Sequence, residues 1–162
     1  MAYVTSAGEG DLPSTLGPPR AADCVFCAVL EADVTDEERL VVWRGERTVV
    51  MLNAYPYASG HLMAMPVRHL RDLEELDDDE ASELWGAVRR SVTVLTSAYE
   101  PDGCNIGANL GRAAGAGIPG HLHLHVVPRW IGDTNFMTAT ASTRVLPEAL
   151  GDTWRRVVAS WR

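Results

Sequence analysis

Nine consecutive residues, Gly120-His121-Leu122-His123-Leu124-His125-Val126-Val127-Pro128, constrain this chain more than any other stretch. In an extended strand successive side chains point to opposite faces, so His121, His123 and His125 share one face and Leu122, Leu124 and Val126 the other. Neighbours on one such face lie roughly 6.5 to 7 Å apart, close enough for one bound group to meet two rings. Near neutral pH imidazole serves as nucleophile, acid, base or metal ligand. A buried strand with chance histidines and a loose metal-binding tract are the plainer readings. Three of the five histidines in one row backed by aliphatic residues favour function, because polar rings on a core strand must be satisfied or solvated.

Composition narrows what that row can serve. At 162 residues the chain can bury a core as one domain without disulfide help. Its net charge of −8 disfavours nucleic acid or an anionic membrane surface as partner. All 14 basic residues are arginine, which excludes a Walker-type lysine, a Schiff base and a lysine adenylylation site. Residues Met1 to Arg20 hold no apolar core flanked by basic residues, and no run of about 18 apolar residues offers a membrane span. The expectation is a cytoplasmic protein. Three cysteines, an odd count, argue against a disulfide framework, and Cys104 reads as a small core residue.

Along the chain, residues 1–20 are rich in glycine and proline and read as a flexible arm, leaving 21–162 as a single domain. Asp23 to Leu30 reads as a short helical or turn segment. Leu40–Trp43 and Thr48–Leu52 read as a hairpin, and His61–Pro66 as a third strand ended by proline. From Asp77 to Ala98 the apolar residues fall at helical spacing, with Asp77 and Glu80 forming a capping-box start and the acidic run Glu74–Glu80 read as a solvated cap. Cys104–Leu110 reads as a strand, Gly111–Gly120 as a glycine-rich loop, and Pro147–Trp161 as a last helix. The order is α+β without internal repeat.

The alternating His121-Leu122-His123-Leu124-His125-Val126-Val127, with Asn53, Pro56, Gly60-His61, Pro66 and His69 upstream and Pro128-Arg129-Trp130 downstream, resembles the histidine triad (HIT) family over roughly residues 23 to 160. Gly132–Met137 and Val145–Glu148 resemble its bacterial branch of diadenosine tetraphosphate phosphorylases and related nucleotidyl transferases. The resemblance implies a five-stranded antiparallel sheet with a long central helix and a C-terminal helix on one side, paired as a homodimer. It also implies that His123 attacks the α-phosphorus of a nucleotide, that His125 contacts phosphate or leaving oxygens and helps move a proton, and that His121 completes the catalytic row. Asn53, His61 and Asn109 then sit at positions facing ribose or phosphate. Many relatives carry glutamine and serine in the loop, where this chain has Gly117 and Ile118, so Arg112 and the backbone of Gly115 and Gly117 are the candidates for holding phosphate. Arg129 and Trp130 either meet substrate or close the dimer.

Cys24 and Cys27 are a ligand pair by spacing, and structural zinc needs two more donors. The resemblance supplies His69 and His121. A redox pair or plain core cysteines are the alternatives, although no thioredoxin-like βαβ pattern surrounds them. The resulting expectation is an enzyme that cleaves adenosine-containing phosphoanhydrides such as diadenosine tetraphosphate, with phosphate or water as acceptor, zinc in a structural role and no organic cofactor. The rivals are a nucleoside phosphoramidate hydrolase, a non-catalytic nucleotide-binding regulator, and a biosynthetic nucleotidyl transferase.

Overall fold

The computed structural model describes residues 21–133 and 148–161. The arm read over residues 1–20, most of Gly132–Met137 and the start of the last helix at Pro147 lie outside them. Five strands, β1 (Val41–Arg44), β2 (Thr48–Leu52), β3 (Leu62–Pro66), β4 (Gly103–Gly107) and β5 (Leu124–Arg129), form one antiparallel sheet in the order β1-β2-β3-β5-β4. The helices are α1 (Val25–Glu31), α2 (Asp78–Tyr99) and α3 (Leu150–Trp161).

Every residue of β2 and β3 is buried, so both faces of the sheet are covered. On one face Val50, Leu52, Leu62, Ala64, Leu124 and Val126 pack with Leu84, Val88 and Leu95 of α2 and Val157 and Trp161 of α3. On the other face Val49, Met51, Met63 and Met65 pack with Cys24, Phe26 and Cys27 at α1. The resemblance implies helices on one side, and α2 and α3 follow it. Helix α1 takes the opposite face, and because Met63 is the register partner of His125 this is also the face of the histidines.

Helix α2 starts as its sequence predicts. Asp77 Oδ1 accepts the Glu80 N–H at 2.7 Å and Glu80 Oε2 accepts the Asp77 N–H at 3.1 Å. The acidic run is spent on such caps and on ion pairs, chiefly Glu80 with Arg68 at 2.7 Å. That guanidinium and the Asp77 N–H hold the Glu80 carboxyl at about 2. Gly60 sits against the same helix at φ +80°, where a Cβ would come within 2.9 Å of Leu95 and 3.0 Å of Tyr99. Only glycine fits, and it seats the next residue, His61, fully buried beneath the sheet.

Two elements differ from the sequence reading. The strand expected over all three histidines begins at Leu124, so His121 and His123 precede it. The cause is Pro66: β3 ends there, its nitrogen cannot donate, and its carbonyl is taken by the His121 ring. The backbone stays extended nonetheless, tied by the Leu122 N–H to the Leu70 carbonyl at 2.7 Å, so the alternation of faces survives. Cys104, expected in the core, is half-buried on the edge strand β4, where burial raises its thiol pKa.

Candidate active site and metal centre

Cys24 caps α1 and Cys27 lies one turn on, which turns both thiols to the same side. Cys24 Sγ is 3.4 Å from His121 Nδ1, and Cys27 Sγ is 3.4 Å from His69 Nδ1 and 3.7 Å from His121 Nδ1. All four ligand atoms lie within 4.8 Å of one another, the one such grouping among the described residues. Zinc bonds of about 2.3 Å to sulfur and about 2.0 Å to nitrogen make tetrahedral edges of roughly 3.6 Å, which these separations match. His121 Nε2–H donates to the Pro66 carbonyl at 2.9 Å, so Nδ1 turns its lone pair to the thiols, the outer-shell arrangement a metal-ligating histidine needs. Burial, with Cys24 alongside, pushes the Cys27 thiol up to about 11, so a metal ion taken up here displaces a proton. The donor set fits zinc, and its four members are those expected from the sequence.

His123 is held by its neighbour's backbone. Its Nδ1 lies 2.7 Å from the His121 carbonyl, which can only accept, so Nδ1 carries the proton and Nε2 the lone pair. Burial lowers its pKa and keeps the ring neutral at neutral pH. The Phe26 ring packs edge-on at 5.1 Å from His123 and 5.7 Å from His121. Phe26 is a contact that sequence reasoning missed. Its one available signal is its place between the two cysteines.

The third histidine is fixed through a chain of contacts. The Tyr57 backbone N–H donates to His61 Nδ1 at 3.1 Å, so His61 bears its proton on Nε2. That nitrogen stands 2.9 Å from His125 Nδ1 and donates to it, which leaves His125 as the Nε2–H tautomer. Burial, with His123 nearby, pushes His125 down to about 4, so it too is neutral. The His123 and His125 rings are 5.0 Å apart, an imidazole lone pair beside an imidazole N–H donor. Tyr57, the second contact missed from sequence, lays its ring over His61 at 4.6 Å and His125 at 5.9 Å.

Asn53 Oδ1 accepts the Tyr55 N–H at 2.9 Å in a turn, and its Nδ2 lies 3.4 Å from His61 Nδ1. Gly107 pairs with His125, so half-buried Asn109 follows just past the strand end beside the site. Arg112 is exposed and opens a 3-10 turn, Arg112–Ala114, between Gly111 at φ 76° and Gly115 at φ 84°. A Cβ on Gly117 would meet nothing within 4 Å, so local packing does not demand glycine there. Arg129 pairs with Gly103 at the far end of β5 and is tied to Asp133 at 2.6 Å and Asn105 at 2.7 Å, which removes it from the histidines.

The fold and site define an α+β protein that presents one neutral imidazole lone pair beside one fixed imidazole donor, backed by a Cys2His2 cluster. The chain belongs to the histidine triad family, whose HIT domain matches residues 34–130. It is 44% identical over 128 residues to an AP-4-A phosphorylase of Mycobacterium tuberculosis, covering 79% of this chain and 66% of that protein. The match therefore spans just under two thirds of that relative's length. A crystal structure of a Zn-bound histidine triad family protein from Mycobacterium smegmatis superposes with a TM-score of 0.70 at 27% identity, covering 88% of this chain and 95% of that one. A hypothetical histidine triad nucleotide-binding protein from Sulfolobus tokodaii gives a TM-score of 0.69 at 26% identity, covering 85% and 91%.

Proposed function

We propose that this protein is a nucleotidyl transferase that cleaves diadenosine tetraphosphate and similar adenosine-containing phosphoanhydrides at the α-phosphorus, through a nucleotidyl intermediate on His123. The observation that carries the reading is the 2.7 Å bond from His123 Nδ1–H to the His121 carbonyl, which leaves a neutral Nε2 as nucleophile. Nε2 attacks in line, the Nε2–P bond forms, and the bond from α-phosphorus to the bridging oxygen breaks. The leaving polyphosphate departs as its anion, and His125 Nε2–H donates a hydrogen bond to the departing oxygen. The ring of the intermediate carries a positive charge, which the His121 carbonyl stabilises at Nδ1–H.

In the second half an acceptor attacks phosphorus, the Nε2–P bond breaks and His123 is regenerated. Inorganic phosphate attacks as an anion and needs no base, whereas water must lose a proton that His125, already bearing one on Nε2, does not take. This favours phosphorolysis over hydrolysis. It also favours anionic leaving groups over the amine of a phosphoramidate, which must be protonated as it departs. The similarity to a mycobacterial AP-4-A phosphorylase supports the same reading.

Arg112, Asn53, Asn109 and the backbone of Gly115 and Gly117 surround the phosphate chain in this reading, and zinc at Cys24, Cys27, His69 and His121 fastens α1 to the catalytic segment. A metal centre ligated by two cysteines suits the reducing cytoplasm. Edge strand β4, with Gly103 and Asn105–Gly107 exposed, is the surface across which a homodimer extends the sheet. The test is incubation with diadenosine tetraphosphate and radiolabelled phosphate: phosphorolysis gives labelled ADP with unlabelled ATP, hydrolysis gives AMP, and His123→Ala gives neither. Near-wild-type turnover by His123→Ala would sink the mechanism.

A further inference from the structure

Tyr99 is the last residue of α2 and stands behind the loop that delivers His61. A Cβ on Gly60 would come within 2.9 Å of Leu95 Cδ2 and 3.0 Å of Tyr99 Cε2, so the backbone immediately before His61 rests on the edge of the phenol ring. The bonds of the loop itself, His61 N–H to the Ala58 carbonyl at 3.1 Å and Asn53 N–H to the His61 carbonyl at 2.9 Å, fold it on itself. They do not set how far it stands from α2. That spacing falls to Leu95 and Tyr99, and of the two only Tyr99 carries a polar anchor. Its hydroxyl donates to Glu148 Oε2 at 2.5 Å, and the same carboxylate takes the Thr153 hydroxyl at 2.9 Å and the Arg156 Nε–H at 3.0 Å. The Arg156 guanidinium lies over the phenol ring at 5.1 Å, and the Trp130 ring meets it edge-on at 6.4 Å. Burial, with Glu148 alongside, raises the phenol pKa, so the group stays a donor.

We propose that Tyr99, clamped by Glu148, is a positioning residue for the donor at the leaving oxygen: it holds Gly60 where His61 Nε2–H reaches His125 Nδ1, and so keeps His125 in its Nε2–H form. That bond spans 2.9 Å, and a hydrogen bond weakens steeply once it is bent. A loop freed from Tyr99 therefore loosens the His125 tautomer while His123, whose proton is held by the His121 carbonyl, stays as it was. Tyr99 packs with the α2 side of the sheet and the histidine rings line the other, so its effect falls on kcat rather than KM. The kinetic consequence rests on the nucleotidyl-transfer reading above, and the tautomer does not.

The experiment compares wild type with Tyr99→Phe, Tyr99→Leu and, as a stability control in the same helix, Asp77→Ala. NMR of the ring nitrogens at neutral pH reports the His125 tautomer, and kcat is measured on diadenosine tetraphosphate and on an adenylate ester with an activated aryl leaving group. In wild type His125 should read as Nε2–H. Tyr99→Leu should move its signals toward Nδ1–H and lower kcat on the tetraphosphate at least about twofold more than on the aryl ester, with KM unchanged. Tyr99→Phe, which keeps the ring and frees it from Glu148, should do the same to a smaller extent, and Asp77→Ala should match wild type in both readouts. Unchanged His125 signals and an unchanged kcat ratio in Tyr99→Leu overturn the inference, and if that variant does not fold, the same result in Tyr99→Phe does so. An equal change in Asp77→Ala also overturns it, because lost helix stability then accounts for the effect. The tautomer shift in a protein that turns over neither substrate keeps the positioning role and sinks the transfer reading, and turnover without the shift does the reverse.

Discussion

Replacing His61 with leucine isolates what the fourth histidine does. His61 is fully buried, accepts the Tyr57 N–H at 3.1 Å and donates to His125 Nδ1 at 2.9 Å. Without that donor, His125 is free to move its proton to Nδ1, which turns Nε2 from donor into acceptor at the leaving oxygen. The lost bias is one hydrogen bond, about 1 to 1.5 kcal/mol, so the ratio of the donor tautomer to the acceptor tautomer falls about tenfold. Complete loss of an oxyanion donor costs about 100- to 1000-fold, which sets the ceiling. We therefore expect kcat on diadenosine tetraphosphate to fall by at least about twofold, where the two tautomers become equally populated, and by at most about 100-fold, where the donor is lost outright. The orphaned Tyr57 N–H adds about 1 to 3 kcal/mol of destabilisation, a melting temperature lower by roughly 2 to 12 °C, so rates are compared well below melting. An adenylate ester with an activated aryl leaving group needs little help at its departing oxygen, and its rate should fall less. Equal losses on both substrates, or a kcat equal to that of wild type, would refute the tautomer argument.

Because burial lowers both His123 and His125, the latter to about 4, the acid limb of kcat/KM should fall below the ordinary imidazole value of 6.5, and a limb at or above 6.5 contradicts the neutral-ring mechanism. A histidine that folds neutral binds its proton less readily than in the unfolded chain, so the stability it confers above 6.5 is lost as pH falls toward 4, measurable as a declining melting temperature over that window. Asp77→Ala removes the α2 cap and should cost about 1 kcal/mol of stability in denaturant titrations while leaving kcat intact. Purified protein should carry about one zinc per chain by elemental analysis. Under half an equivalent, with unaltered melting after chelation, would count against the metal centre.

The sequence carried much of this architecture because local rules and tertiary needs agreed. Helix α2 has apolar positions at helical spacing and a capping pair at its start, and it forms within a residue of its predicted limits. The four candidate zinc ligands were legible because two are one turn apart and the other two belong to motif positions, and the fold brings them together. What stayed hidden depends on packing between distant segments. Pro66 cuts the sheet short of His121 and His123 because β3 lies beside them, a fact no reading of residues 120–128 contains. Phe26 and Tyr57 are separated from the triad by long stretches of chain and meet it only because α1 lies across the sheet and the Asn53–Gly60 loop folds back from α2.

His121 explains why the candidate metal centre and the proposed nucleophile, His123, occupy one short segment. Its Nδ1 faces the two thiols, its Nε2–H is fastened to Pro66, and its carbonyl holds the proton of His123. The ring and the carbonyl belong to the same residue, so whatever holds the ring in place also aims the acceptor that sets the His123 tautomer. Phe26 reinforces the arrangement, because it touches both rings and rides on the helix bearing the two cysteines. A nucleophile on a free strand would need supporting contacts of its own to stay within the narrow geometry that in-line attack demands. Here that support is the Cys2His2 cluster against the His121 ring and the Pro66 carbonyl on its Nε2–H, so the alternating spacing of His121 and His123 does more than line up rings on one face. In the proposed mechanism one histidine's side chain then serves for anchorage and its backbone for chemistry.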